Sequence, residues 1–171
     1  MTQNILILEK RDEKRDTEKL EDMEFQIFRM RENLFEIAKK WEVVAIDQTM
    51  QEQWVILYKY DDGVQCQVML NECETAYTGQ WDFCIQATYT DTNTIHINDI
   101  KGPVNKGYGS VCMSYLQQMA EQKNIQFLTG DLVKRDWNHI NRLIAFYEKH
   151  HFQVSVNEET KSGYIIWNPQ Y

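Results

Sequence analysis

Residues 94–119 constrain the chain more than any other stretch, because they impose an order: strand, glycine-bearing loop, helix. Ile95, Ile97 and Ile100 lie in a short extended run. Lys101, Gly102, Pro103, Val104, Asn105, Lys106, Gly107, Tyr108, Gly109 and Ser110 follow without a break. Beyond them Val111, Cys112, Tyr115, Leu116, Met119 and Ala120 recur in steps of three and four, which is one face of an α-helix. A glycine loop that feeds a helix N-terminus offers unpaired backbone N–H groups and the positive end of a helix dipole, a natural seat for an anion. Gly107 and Gly109 would let a phosphate approach the backbone with no Cβ in the way. The same Gly-x-Gly pattern also serves tight packing, so this stretch alone leaves a ligand site and a packing turn both open.

A second stretch narrows the choice. Asn138-His139-Ile140-Asn141-Arg142-Leu143-Ile144-Ala145-Phe146-Tyr147-Glu148-Lys149-His150-His151-Phe152 carries an apolar face at Ile140, Leu143, Ile144 and Tyr147. Here the chain resembles the Gcn5-related N-acetyltransferase (GNAT) superfamily. That family's cofactor loop reads Gln/Arg-x-x-Gly-x-Gly/Ala between a strand and a helix, and residues 104–109 fit it except at Val104. Its later helix ends in Phe/Leu-Tyr-Glu-Lys-x-Gly-Phe, matched by residues 146–152 except at His151. The resemblance covers residues 82–167 and rests on two motifs in the family's order.

The resemblance implies an α/β fold: a central mixed, mostly antiparallel sheet, a splayed central strand pair and flanking helices. It implies acetyl-CoA as co-substrate, an amine acceptor and no metal. Backbone N–H groups of Val104, Asn105, Lys106, Gly107, Tyr108, Gly109 and Ser110 would hold the pyrophosphate. The strand end at Asp99 and Ile100 would bond the pantetheine arm. Tyr147 stands where the family's tyrosine hydroxyl reaches the coenzyme A sulfur, so it is the candidate acid; a packed core aromatic is the plain alternative. The family often has an Asn seven residues before this Tyr. That position is Ile140 here, and Asn141, about 100° around the helix, is kept as a cofactor contact. Asp99 is the candidate base, with Asp131 and His96 as alternatives. Glu72 and Glu74 fit either acceptor-side carboxylates or solvated ones. Trp54, Trp81 and Trp137 fit pocket walls or plain core. His151 replaces the usual glycine after the helix, which predicts a differently shaped turn.

The remaining stretches set the frame. Ile5-Leu6-Ile7-Leu8 reads as a short first strand, too short for a signal peptide or a membrane span. Residues 9–24 mix both charge signs densely. Leu20, Met23, Ile27, Met30, Leu34, Ile37 and Trp41 then recur in steps of three and four, widened by Phe28 and Phe35. This long helix is expected to lie on its own domain's core. The alternative is a partner helix, in a homodimer or a helix-mediated complex. From Trp41 the period becomes two: strands are expected at 41–47, 54–60, 64–70, 83–89 and 94–100, with turns at Asp61-Asp62-Gly63 and Asp91-Thr92-Asn93. A strand at 125–132, the helix 138–150 and a hairpin of 152–156 with 163–167 complete the reading. The organisation expected is one domain over 1–171, with a charged helical segment 1–40 and a sheet core 41–171.

A net charge of −8 argues against a nucleic-acid partner. Cys66, Cys73, Cys84 and Cys112 show neither Cys-x-x-Cys nor zinc spacing, and read as reduced thiols of a cytoplasmic protein. Two functions compete. One is an acetyl-CoA-dependent N-acetyltransferase acting on a primary amine of a small molecule or protein. The other is a weak or inactive GNAT-fold module that binds coenzyme A and docks through its N-terminal helix.

Overall fold

The computed structural model describes residues 2–169, with side chains described from Lys14 onward. The elements run α1 (Thr2–Ala38), β1 (Glu42–Gln48), β2 (Trp54–Asp61), β3 (Gln65–Glu72), β4 (Phe83–Asp91), β5 (Thr94–Lys101), α2 (Tyr108–Gln122), β6 (Phe127–Leu132), a 3-10 turn (Lys134–His139), α3 (Ile140–Lys149), β7 (Gln153–Asn157) and β8 (Ser162–Trp167). The strands form one eight-stranded sheet in the order β1-β2-β3-β4-β5-β6-β8-β7. Every neighbouring pair is antiparallel except β5 with β6. The first five strands form a meander, and Asx chemistry makes two of its four turns. Asp62 Oδ1 accepts from the Val64 and Gln65 N–H groups, and Asp91 Oδ1 accepts from the Asn93 N–H.

Both faces of the sheet are covered, and β2 shows it. Val55, Ile56, Leu57 and Tyr58 are all buried, without the polar alternation of a half-exposed strand. Val55 and Leu57 join the larger core with Cys112, Met113 and Leu116 of α2 and Ile140 and Tyr147 of α3. Ile56 and Tyr58 join a smaller core with Ile37 of α1, Met69, Cys73 and Cys84. All four cysteines are buried and unbridged, and burial pushes the Cys66, Cys73 and Cys84 thiols up to about 12.

Two expectations about the N-terminal segment are corrected. Ile5-Leu6-Ile7-Leu8 is helical, as the start of α1, and no strand forms there. The run is as compatible with helix as with strand, and it continues into Glu-, Lys- and Arg-rich sequence that favours helix. The apolar stripe from Leu20 onward does not lie on the core along its length either. Only Met30, Asn33, Leu34 and Ile37 pack inward, while Leu20, Met23, Ile27, Phe28 and Phe35 are exposed. Helix α1 ends at Ala38, so Trp41 is past it and packs instead on Tyr58 and Tyr60, at 6.4 and 6.3 Å between ring centroids.

The feature that positions the site is the parting of β5 from β6. Their parallel pairing stops at Ile97 with Gly130, yet β5 stays paired to β4 through Lys101 and β6 to β8 through Leu132. Asn98 is an extra residue in β5, since Ala87 faces Ile97 and Gln86 faces Asp99. A bulge bends its strand and raises the local twist. Beyond it the C-terminal ends of β5 and β6 open as a wedge, with the edge of residues 98–101 unpaired on the β6 side.

Candidate functional site

The loop from Gly102 to Gly107 leaves the open end of β5 and turns into α2. Asn105 at φ 60° and Gly107 at φ 78° both take the left-handed conformation. Among the described residues, no backbone N–H from Val104 to Ser110 donates to a protein acceptor; the first bond of the helix runs from the Val111 N–H to the Gly107 carbonyl. Seven adjacent donors at a helix start form a cradle for an anion.

The glycines also serve the packing behind the loop. A Cβ on Gly107 would sit 2.9 Å from Gln51 Oε1 and 3.1 Å from Thr49 Cβ. A Cβ on Gly109 would sit 3.2 Å from both the Phe146 and Phe83 rings. Both therefore admit protein atoms behind the loop, while also lining the cleft in front of it.

In front of the loop lies a cleft of about 410 Å³, floored by Phe83, Ile100, Leu143 and Phe146 and rimmed by Val104, Asn105, Gly107, Gly109 and Ser110. Its charged lining is wholly cationic, Arg142 and Lys149 of α3, in a chain of net charge −8. Arg142, Phe146 and Lys149 repeat at i, i+4, i+7, so one helix face carries both cations. Sequence reasoning missed these two, although that spacing was readable. Asn141, kept on the family's pattern, is exposed and lies outside the lining, as a residue about 100° from Arg142 should. Lys106 is exposed beside the cleft rather than in its wall. The Tyr108 side chain turns inward, where its hydroxyl donates to Gln53 Oε1 at 3.0 Å and burial pushes it up to about 12. Tyr108 can thus offer a ligand only its backbone.

Ser110 is held from two sides. Lys149 Nζ donates to its Oγ at 3.2 Å, and His150 Nε2 lies 3.2 Å from the same oxygen. His150 is buried against Phe146, with ring centroids 4.9 Å apart. Burial first, then Lys149 and His151, bring its ring down to about 4, so it is neutral near pH 7. The turn after it corrects another expectation. His151 keeps the left-handed conformation, φ 63°, that the family's glycine would adopt. The Phe152 N–H bonds to the Tyr147 carbonyl at 3.0 Å and the His151 N–H to the Glu148 carbonyl at 2.9 Å, a Schellman cap that outweighs the cost of a β-carbon there.

Tyr147 projects from the opposite flank of α3 into the core, 5.3 Å in centroid distance from both Phe146 and Phe152. Among the described residues its hydroxyl has no hydrogen-bond partner. Burial, then the nearby carboxylates of Asp136 and Asp99, hold it well above the ordinary phenol range. Asp99 stands on the open strand end. Its Oδ1 accepts from the Ile100 N–H at 3.0 Å, and Lys101 and Arg135 lie 3.4 and 3.7 Å from the carboxylate. The alternatives are spoken for: His96 bonds Thr129 Oγ1 at 3.0 Å and faces Asp131 at 3.6 Å. Glu72 is spent inside its own loop, on the Glu74 and Thr75 N–H groups. Trp137 donates to Glu158, while Trp81 packs on the smaller core.

Among the described residues no cluster of His, Cys, Asp and Glu could hold a metal, and no helix is long and apolar enough to cross a membrane. No family model matches the chain. Its sequence is 51% identical over 150 residues to the uncharacterized protein YocC of Bacillus subtilis, spanning 88% of this chain and 90% of that one. In three dimensions it is similar to a GNAT family acetyltransferase from Elizabethkingia anophelis solved with acetyl-CoA bound, at TM-score 0.52 and 11% identity, over 67% of this chain and 98% of that one. It is also similar to a cAMP-binding acyltransferase from Mycobacterium smegmatis, at TM-score 0.57 and 10% identity, over 82% of this chain but only 52% of that one. The chain therefore belongs to one family with YocC, and its wedge-split sheet with a glycine loop at the mouth is the GNAT fold.

Proposed function

We propose that the protein transfers an acetyl group from acetyl-CoA to a primary amine of a small molecule or protein. The observation that carries this reading is the convergence of the unpaired N–H cradle of residues 104–110, two cations and the open edge of β5 on one cleft. These residues fit coenzyme A part by part. The cradle suits a pyrophosphate, Arg142 and Lys149 suit further phosphate charge, and the apolar floor suits the pantetheine arm. The edge of residues 98–101 that β6 leaves open offers that arm the place of an added strand.

Acetyl-CoA, when bound, supplies an activated thioester; the rest falls to this chain. Attack by the amine forms the C–N bond and breaks the C–S bond, and the departing sulfur takes a proton. Tyr147 is the donor in this reading: its raised affinity for the proton keeps the hydroxyl protonated near neutral pH, and no described protein group competes for it. Asp99, at the wedge mouth, accepts the proton that the acceptor ammonium must lose, with Lys101 and Arg135 holding its carboxylate in place. The mechanism asks for no covalent enzyme intermediate.

The exposed stripe of α1 favours a second reading, an interaction module that binds coenzyme A without turning it over. Thiol release from acetyl-CoA across a panel of primary amines, run beside calorimetry with coenzyme A, separates the two. Binding with turnover supports the transferase. Binding with no turnover on any amine supports the module, and no binding removes both.

A further inference from the structure

Helix α1 is 37 residues long, about 55 Å, yet only its last two turns rest on the sheet. Ahead of them Leu20, Ile27 and Phe28 are each more than half exposed, as is Phe35 on the flank away from the sheet. Together these four form a stripe at i, i+7, i+8 and i+15, roughly a third of a turn from the face used by Met30, Leu34 and Ile37. Most of a helix's stability in a protein comes from packing its apolar face, and the apolar stripe along this bare arm is what a partner would cover.

The stripe is complementary to itself. With a twofold axis placed between residues 27 and 28 and the helices antiparallel, Leu20 of one copy falls level with Phe35 of the other. Ile27 falls level with Phe28, and Glu24 with Arg31. Every apolar residue then meets an apolar one, and the two charges within the stripe meet their opposites twice over. Among the described residues, neither Glu24 nor Arg31 forms an ion pair within its own chain. A parallel pairing would set Glu24 against Glu24 and Arg31 against Arg31. We propose that α1 is a dimerisation arm: two copies of this chain pair antiparallel through Leu20, Ile27, Phe28 and Phe35, registered by Glu24–Arg31 salt bridges.

Light scattering of the full-length protein should give the mass of two chains, and Ile27→Glu should give the mass of one. Glu24→Arg alone should weaken the dimer, because it sets two arginines together; Glu24→Arg combined with Arg31→Glu should restore it. These positions are exposed, so each variant should keep the near-ultraviolet circular dichroism of a folded sheet core even where its melt falls with loss of the dimer. Oxidative cross-linking fixes the orientation, since the four native cysteines are buried. Phe28→Cys should cross-link to itself near the axis, whereas the Leu20→Cys residues should lie about 22 Å apart along the arm and stay unlinked. A monomeric parent would overturn the proposal. So would a dimer indifferent to Ile27→Glu, failure of the double charge exchange to restore pairing, or self-linking of Leu20→Cys in place of Phe28→Cys.

Discussion

His150 gives the fold a defined acid sensitivity. Its ring binds a proton near 6.5 in the unfolded chain but only at about 4 in the folded one, because burial beside Lys149 and His151 disfavours the charge. Between those values the unfolded state holds a proton that the native state does not. Stability is therefore full above about pH 6.5 and falls as the pH drops toward about 4. The difference corresponds to about 3 kcal/mol at the bottom of that window, since each tenfold loss of proton affinity is worth about 1.36 kcal/mol. Carboxylates titrate in the same range, so the effect is read as a difference. His150→Gln removes the titration while keeping a group that can reach Ser110 Oγ, now 3.2 Å from Nε2. Urea unfolding of both proteins at about pH 7 and about pH 4.5 should show the parent losing roughly 2–3 kcal/mol more than the variant. Parallel losses would refute the reasoning, placing the ring in water or beside an unrecognised acid in the native state.

Three other substitutions test separate parts of the account. Tyr147→Phe should lower turnover about 10²–10⁴-fold with an unchanged melting temperature, because the hydroxyl has no protein partner among the described residues to lose; steady-state kinetics beside a melt would show it. Arg142→Ala should weaken coenzyme A by about 1–3 kcal/mol, read by calorimetry, with no change in fold, since the side chain is exposed on the cleft rim. His151→Gly should stabilise the protein by about 0.5–1 kcal/mol in urea unfolding, by relieving the left-handed residue in the Schellman turn.

The sheet was legible because its signals are local and redundant. β-Branched and aromatic runs through β2 to β5, the Asx turns at Asp62 and Asp91 and the change to helical spacing after Gly107 each point the same way. The wedge was anticipated only through the family resemblance, as Asn98 and Asp99 sit inside a run, Ile95 to Ile100, that reads as one unbroken strand. Two site features eluded sequence reasoning for physical reasons. What a glycine faces depends on the chain brought behind it, and Thr49, Gln51 and Phe83 are remote in sequence from Gly107 and Gly109. Periodicity also marks an apolar stripe without saying what covers it, so the seam of α1 read as core where most of it is bare.

In the transferase reading α1 bears on the acceptor side, because its foot holds a loop that adjoins the cleft. Its foot reaches the wall indirectly. Asn33, 3% exposed, donates from Nδ2 to the Thr75 carbonyl at 2.8 Å and accepts the Tyr77 N–H on Oδ1 at 2.8 Å. That clasps the loop between β3 and β4, whose far end is tied by Asp82 Oδ2 to the Glu72 N–H and Asn71 Nδ2, both at 3.0 Å. Phe83, next in sequence, floors the cleft. The cradle of residues 104–110 is backed by Thr49, Gln51, Phe83 and Phe146, and of these only Phe83 adjoins the clasped loop. Asn33→Ala should therefore cost about 2–3 kcal/mol of stability, from two backbone groups left without partners. In the transferase reading it should raise the KM for the amine more than it weakens coenzyme A, which the loop reaches only through Phe83. Calorimetry with coenzyme A and amine-dependent kinetics on the one variant decide it. Equal weakening of both ligands would mean that the β3–β4 loop shapes the whole cleft, and no effect on either would place the acceptor away from this wall.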